Sequence, residues 1–251
     1  MSFLSRFQTI EHEDKQRAVH VLVQRATPDF DFFFMITLSV LMATFGLLAG
    51  SEAIIIGSML IAPILYPVLG IALSLSMSDQ ALLRQSLWTV AKAIGISFVA
   101  ATASALLFIS VHGGTIHETP IIAARTSPSL LLLLVGVVAG VAVVYALVKP
   151  KLSETLPGVA ISVALIPPLA TAGIGFAGLN LAITLGAFAT FFVNVFGIIG
   201  AGMITFSLMN VYSLRSVAHK TMEKEAVRVE EENKKAQAVD DNISLKDIHT
   251  D

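Results

Sequence analysis

Between Phe32 and Leu208 the chain holds nine charged residues: Glu52, Asp79, Arg84, Lys92, Glu118, Arg125, Lys149, Lys151 and Glu154. The other 25 of its 34 charged residues lie in residues 1–31 and 209–251. A soluble domain carries about 25% charged residues. The 14% here, against 55% apolar residues, cannot cover a water-facing surface. This pattern dictates an all-α polytopic membrane protein with polar ends, because a lipid-facing backbone must satisfy its own hydrogen bonds.

A helix needs about 20 mainly apolar residues to cross roughly 30 Å of hydrocarbon. Six segments qualify: Phe32–Ala49, Ala53–Leu75, Ala93–Val111, Ser129–Val148, Leu156–Ala177 and Leu181–Met209. Between the second and third, Ser78–Trp88 reads as a short amphipathic helix at the interface, with Asp79 as N-cap and Trp88 at headgroup level. Asn180 is placed to cap the last span, and Lys92 to snorkel to the surface.

The six spans make a transmembrane domain over residues 30–211. Residues 1–29, with Phe3, Phe7, Ile10, Val19, Leu22 and Val23 set among charges, read as a cytoplasmic amphipathic segment lying on the membrane or against the protein. Residues 212–251 read as a charged, solvated helix and a frayed tail, with a pairing segment for oligomers as the other option. The polar run Glu11-His12-Glu13-Asp14-Lys15 argues against a cleavable signal peptide.

Positive charge tests the topology. Six full crossings put Arg17, Arg25, Arg84, Lys92, Lys149, Lys151, Arg215, Lys220 and Lys224 inside and Arg125 outside, nine to one. Were the second and fifth segments re-entrant, the count would fall to six against four. Six crossings with both termini cytoplasmic are therefore expected.

The second and fifth spans resemble each other. One reads Ser58-Met59-Leu60-Ile61-Ala62-Pro63 and runs on through Tyr66-Pro67 to Gly70. The other reads Ser162-Val163-Ala164-Leu165-Ile166-Pro167, followed by Pro168 and Thr171. Serine precedes proline by five residues in both, at an offset of 104 residues that contains three spans. Copies separated by an odd number of spans run in opposite directions, so the chain reads as an inverted 3+3 repeat with proline-broken second and fifth helices. Matching broken spans are the sequence pointer to a transport site.

These two proline stretches, Gly57–Gly70 and Val163–Ala170, resemble the signature stretches of domain of unknown function 389, a prokaryotic family of uncharacterised hydrophobic membrane proteins. The resemblance covers roughly residues 33–210. The chain departs from it at Ala62, where serine is expected, and at Tyr66, where a small residue is expected; either change alters a local hydrogen bond and leaves the helix breaks. The resemblance implies a multi-pass protein of a prokaryotic plasma membrane, and assigns no activity.

Proline has no N–H, and its ring displaces the carbonyl four residues earlier. Pro63, Pro67, Pro167 and Pro168 thus release the carbonyls of Met59, Pro63, Val163 and Ala164. In hydrocarbon each needs a hydroxyl, a water, or a bound ion or solute. Ser58, Ser162, Tyr66 and Thr171 flank the breaks; for the serines, back-bonding within their own helix competes with ligand contact. Carbonyls and hydroxyls suit a cation or small polar solute, while the helix N-termini suit an anion, and the sequence leaves the sign open. Asn194, an amide in the middle of the sixth span, either joins helices or lines the path.

The expected function is transport or conduction of a small ion or polar solute, between the two broken helices near the bilayer midplane. The alternative is a non-transporting membrane scaffold or sensor acting through its cytoplasmic C-terminal helix. Enzyme chemistry is not expected: HExxH, GxSxG and Walker motifs are absent, and no Asp, Glu or His lies at the centre of a span. No cofactor, metal or nucleic-acid partner is expected either. The chain has no cysteine, its net charge is −2, and His112 and His117-Glu118 read as solvated loop residues. The GxxxG runs Gly46–Gly50 and Gly136–Gly140 admit close helix partners, within the chain or in a homo-oligomer.

Overall fold

The computed structural model describes residues 10–112, 118–155 and 165–248, with side chains described at 10–111, 118–152 and 165–239. All regular structure among these residues is helical: α1 (His12–Arg25), α2 (Phe30–Leu48), α3 (Glu52–Ile61), α4 (Leu65–Met77), α5 (Gln80–His112), α6 (Pro120–Ala123), α7 (Leu130–Val148), α8 (Ile166–Ala177), α9 (Leu181–Leu208) and α10 (Arg215–Ile248). Single 3-10 turns, Pro150–Thr155 and Val211–Leu214, follow α7 and α9. Four helices, α2, α5, α7 and α9, are long and apolar enough to cross a membrane. The pair α3 and α4 qualifies together, bent by 53° at a break, and α8 is a shorter apolar helix.

Local chemistry sets the boundaries. Asp29 caps α2 by accepting from the Phe32 N–H at 2.9 Å. At the far end of α2, Gly50 adopts φ +66°, and the Ser51 N–H bonds the Gly46 carbonyl at 2.9 Å. That left-handed turn reverses the chain into α3. Gly46 also lets the hairpin close, since a Cβ there would lie 2.9 Å from the Ile55 side chain.

One expectation needs correction. The stretch Ser78–Trp88 is not a separate interfacial helix, because α5 runs unbroken from Gln80 into the third apolar segment. Neither Gly nor Pro interrupts Trp88–Ala93, and the Lys92 ammonium lies over the Trp88 ring at 5.4 Å, so the charge is absorbed without a break. Of the two placements open to the amino-terminal helix, the one against the protein is found. It buries Ala18, Val19, Leu22 and Val23 and packs on α4 and α10.

Helix α9 is the centre of the bundle, in contact with α7, α8 and α4. Gly136 and Gly140 let α7 approach it: a Cβ at either would stand 3.0 Å or less from the Asn194 or Ile198 carbonyl. The GxxxG run of α7 is thus used inside the chain, as is Gly46 in α2. Asn194 is 4% exposed and belongs to this α7–α9 seam.

The corners after α4 and α8 share one geometry. Ser78 and Leu179 have φ of 52° and 55°, and the next residues, Asp79 and Asn180, bond the carbonyls of Ser74 and Gly175 at 2.9 and 2.8 Å. Asp79 then caps α5 through the Ala81 and Leu82 N–H groups, and Asn180 caps α9 through Ile183. The helices before these corners begin at Leu65 and Ile166. From start to corner the match runs at an offset of 101 residues, three fewer than the serine–proline match in sequence. It pairs Pro67 with Pro168 rather than Pro63 with Pro167.

Candidate functional site

The break in the second apolar segment follows from Pro63. A residue before proline is pushed out of the α region, and Ala62 accordingly sits at φ −74°, ψ 121°, ending α3 at Ile61. Helix α4 restarts at Leu65, two residues after Pro63. Pro67 lies in its first turn, where a missing N–H leaves no gap in the helix. The carbonyl freed at Pro63 is taken by the Tyr66 N–H at 3.2 Å.

Ser58 answers its own alternative. Its hydroxyl donates to the Ile55 carbonyl at 2.6 Å, and its carbonyl accepts from the Ser39 hydroxyl at 2.7 Å. The side chain is fully buried and is not part of the cleft described next. Contacts of Gly46 with Ile55, Met42 with Gly57 and Ser39 with Ser58 set the α2–α3 register. They bring the break alongside Met35 and Ile36, in the half of α2 nearer its start.

A cleft of about 1050 Å³ opens at this break. One wall is the end of α3, Met59 to Ala62, with Pro63, Leu65 and Tyr66. Phe32 and Met35 of α2 and Val143 and Leu147 of α7 complete the apolar part. The rim is polar. Arg17, Gln24 and Arg25 come from one face of α1, and Asp29, Asp31 and Arg228 join them. The Arg25 guanidinium donates to the Tyr66 hydroxyl and lies 5.1 Å from the centre of its ring.

Arg228 is held by three carboxylates, Asp29 at 2.9 Å, Glu225 at 2.7 Å and Glu232 at 2.9 Å. The hydrogen bonds it donates to Asp29 and Glu225 raise its pKa, so it stays charged. A second clasp lies at the α4–α5 corner. Asp79, 1% exposed, receives the His219 Nε2 at 2.7 Å and the Arg215 Nε at 3.3 Å. Burial alone would raise the Asp79 pKa; the Leu82 N–H, His219 and Arg215 outweigh it and hold the carboxyl below its ordinary value.

Of the residues singled out in sequence, Met59, Pro63 and Tyr66 meet in the cleft. Pro167 and Pro168 are buried in the first turn of α8, a position proline favours, and Thr171 is buried one turn later. The Thr171 Oγ1 has no hydrogen-bond partner among the described residues. Ser162, Val163 and Ala164 lie outside the described residues. Sequence reasoning took Arg17 and Arg25 only as topology markers and did not find Arg228 or Asp29 as site residues. The signal for the first two was present: Arg17, Val21, Gln24 and Arg25 recur at helical spacing on one face of α1. The Asp29–Arg228 contact joins residues 199 apart and has no local signature.

The model of the family described as Domain of unknown function (DUF389) matches residues 59–200, which begins at the cleft and ends within α9. An uncharacterised protein of Methanocaldococcus jannaschii is 26% identical over 211 residues, covering 82% of this chain and 64% of that protein. The chain therefore spans under two thirds of the length of the curated relative it matches. No solved structure matches. The end of α3, all of α4 and α8 and most of α9 fall within the matched residues, and the chain belongs to the DUF389 family.

Proposed function

We propose that this protein is a multi-pass transporter or channel for a small ion or polar solute, with its path entered through the cleft at the Ala62–Ile64 break. The observation that carries this reading is a wide, partly polar cleft whose wall is a broken apolar helix. Backbone leaves helical geometry at membrane depth only where protein buries it or water reaches it.

Six crossings are supported by how the helix ends sort. Asp29 with Arg228, Asp79 with Arg215, and Leu147 in the cleft that Asp29 and Arg228 rim mark one end of the bundle. Thr126, just ahead of α7, faces Gly186 near the start of α9, and Glu52 acts electrostatically on the part-buried Arg125, which marks the other. In this reading α8, which leads into the start of α9, belongs to a fifth crossing. The matching α4–α5 and α8–α9 corners support an inverted repeat, because three crossings separate them. The excess of Lys and Arg at the first end favours a cytoplasmic location for both termini, in a prokaryotic plasma membrane. The protein acts without enzyme chemistry or nucleic-acid binding in this reading. A homo-oligomer would use surfaces other than the glycine seams already filled within the chain.

Flux into vesicles reconstituted with the full chain tests the proposal, using a panel of small ions and polar solutes. Pro63→Ala restores an N–H and straightens the α3–α4 corner, so transport of whichever solute moves should fall at least tenfold. Flux indifferent to Pro63→Ala rejects the path assigned here.

One observation favours the scaffold reading. Beyond Val229, the side chains of α10 are exposed through Val239, as a partner-binding helix would present them. Removing residues 230–251 separates the two: a transporter keeps its flux, whereas a scaffold loses its cellular role with its fold intact.

A further inference from the structure

We infer that the cleft is a binding site for an anionic phospholipid, with the phosphate at Arg17 and Arg25 and an acyl chain along the apolar wall. This inference shares the cleft with the proposed path but does not depend on transport. Three observations carry it. The cleft, about 1050 Å³, is at the top of the range for small-molecule sites and far exceeds what a bare ion fills. Its two sides differ in kind: arginines and Tyr66 on the α1 side, and Phe32, Met35, Leu60 and Leu147 on the other. Met35 and Leu60 are 37% and 53% exposed, so the apolar side faces outward from apolar spanning helices, where lipid chains lie.

Charge selects the head group. Asp29 is engaged by Arg228 and by the Phe32 N–H, which leaves Asp31 as the remaining carboxylate on the rim. Among the described residues, neither Arg17 nor Arg25 has a carboxylate within ion-pair distance, and Arg25 is oriented by the Tyr66 ring and hydroxyl. Two guanidinium groups facing one carboxylate favour an anion, and the fork geometry of arginine suits phosphate oxygens. The broken helix places apolar side chains directly beneath them. A solute carrying phosphate alone would leave that wall unused.

Native mass spectrometry of the delipidated full chain in neutral detergent tests this, titrating phosphatidylglycerol, phosphatidylcholine, glycerol phosphate and inorganic phosphate. Phosphatidylglycerol should bind at least tenfold more tightly than phosphatidylcholine, and neither soluble phosphate should compete at equal concentration. Each arginine beside the membrane strengthens anionic-lipid binding by about fivefold. Arg17→Gln with Arg25→Gln should therefore weaken phosphatidylglycerol about thirtyfold, while Arg84→Gln, outside the cleft, leaves it unchanged. Ala62→Phe, which fills the apolar wall and keeps both arginines, should weaken both lipids. Equal binding of the two lipids overturns the inference, as does an effect of Arg84→Gln matching the double variant. Soluble phosphate displacing the lipid overturns the lipid assignment in favour of a free phosphate-bearing ligand. A total absence of flux with selective lipid binding intact would reject the transport reading alone.

Discussion

Gly173→Ala should destabilise the protein by about 2–3 kcal/mol, near the upper end for over-packing. A Cβ at Gly173 would stand 2.4 Å from the Ala101 Cβ, 2.8 Å from the Thr102 nitrogen and 3.0 Å from the Ala101 carbonyl carbon. No flexible side chain is there to move aside, so α8 must shift away from α5 as a body. That shift would also lengthen the Thr102 hydroxyl contact to the Gly173 carbonyl, now 3.4 Å, and pull Phe176 from Phe98. Gly95 in the same α5 is the control, since a Cβ there meets nothing within 4 Å. Gly95→Ala should be neutral or stabilising by up to about 1 kcal/mol through helix propensity alone. Melting temperatures in one detergent decide it, and a Gly173→Ala midpoint equal to that of Gly95→Ala would refute the close packing of α8 on α5.

Asp79→Ala should cost about 1–3 kcal/mol. Asp79 caps α5 through two N–H groups at 3.0 Å, and a lost cap costs about 1 kcal/mol and up to 2. Loss of the contacts to His219 and Arg215 adds less than about 1 kcal/mol, because both partners are about half exposed and regain water. Asp79→Asn keeps one cap acceptor and should fall between alanine and the wild type. The pH dependence has a definite sign. The folded-state pKa of Asp79 lies below its ordinary 3.8, so its stabilisation is complete above that value and is lost as pH falls through the folded pKa. Wild type should therefore lose more stability than Asp79→Asn on acidification below about pH 4. Parallel melting curves for the two proteins across that range would contradict the assignment.

The fold was readable wherever local chemistry decides it. Apolar length located α2, α7 and α9 to within a few residues, and Asp79 and Asn180 cap helices as their side chains suggest. The error at Ser78–Trp88 has a clear cause. The third apolar segment was begun at Ala93, just after Lys92, yet a charge does not end a helix where neither Gly nor Pro interrupts the backbone. The candidate site was half readable. Pro63 announces a break by its effect on Ala62, so Met59, Pro63 and Tyr66 were found. Ser58 was ambiguous because a helical serine can turn to its own backbone, and here it does. The rim was not readable, since α1 and α10 meet only through the tertiary fold.

Two contacts that tie the amino-terminal region to α10 also bear on how the protein is made. His20 meets Thr221, and Asp29 meets Arg228, across 201 and 199 residues. During synthesis the early spans enter the bilayer well before residue 228 has left the ribosome, so the part of α1 that meets α10 stays uncovered until then. The rim of the cleft is completed only when α10 docks. A nascent chain halted before that point would hold its spans in the membrane while leaving this entrance unfinished.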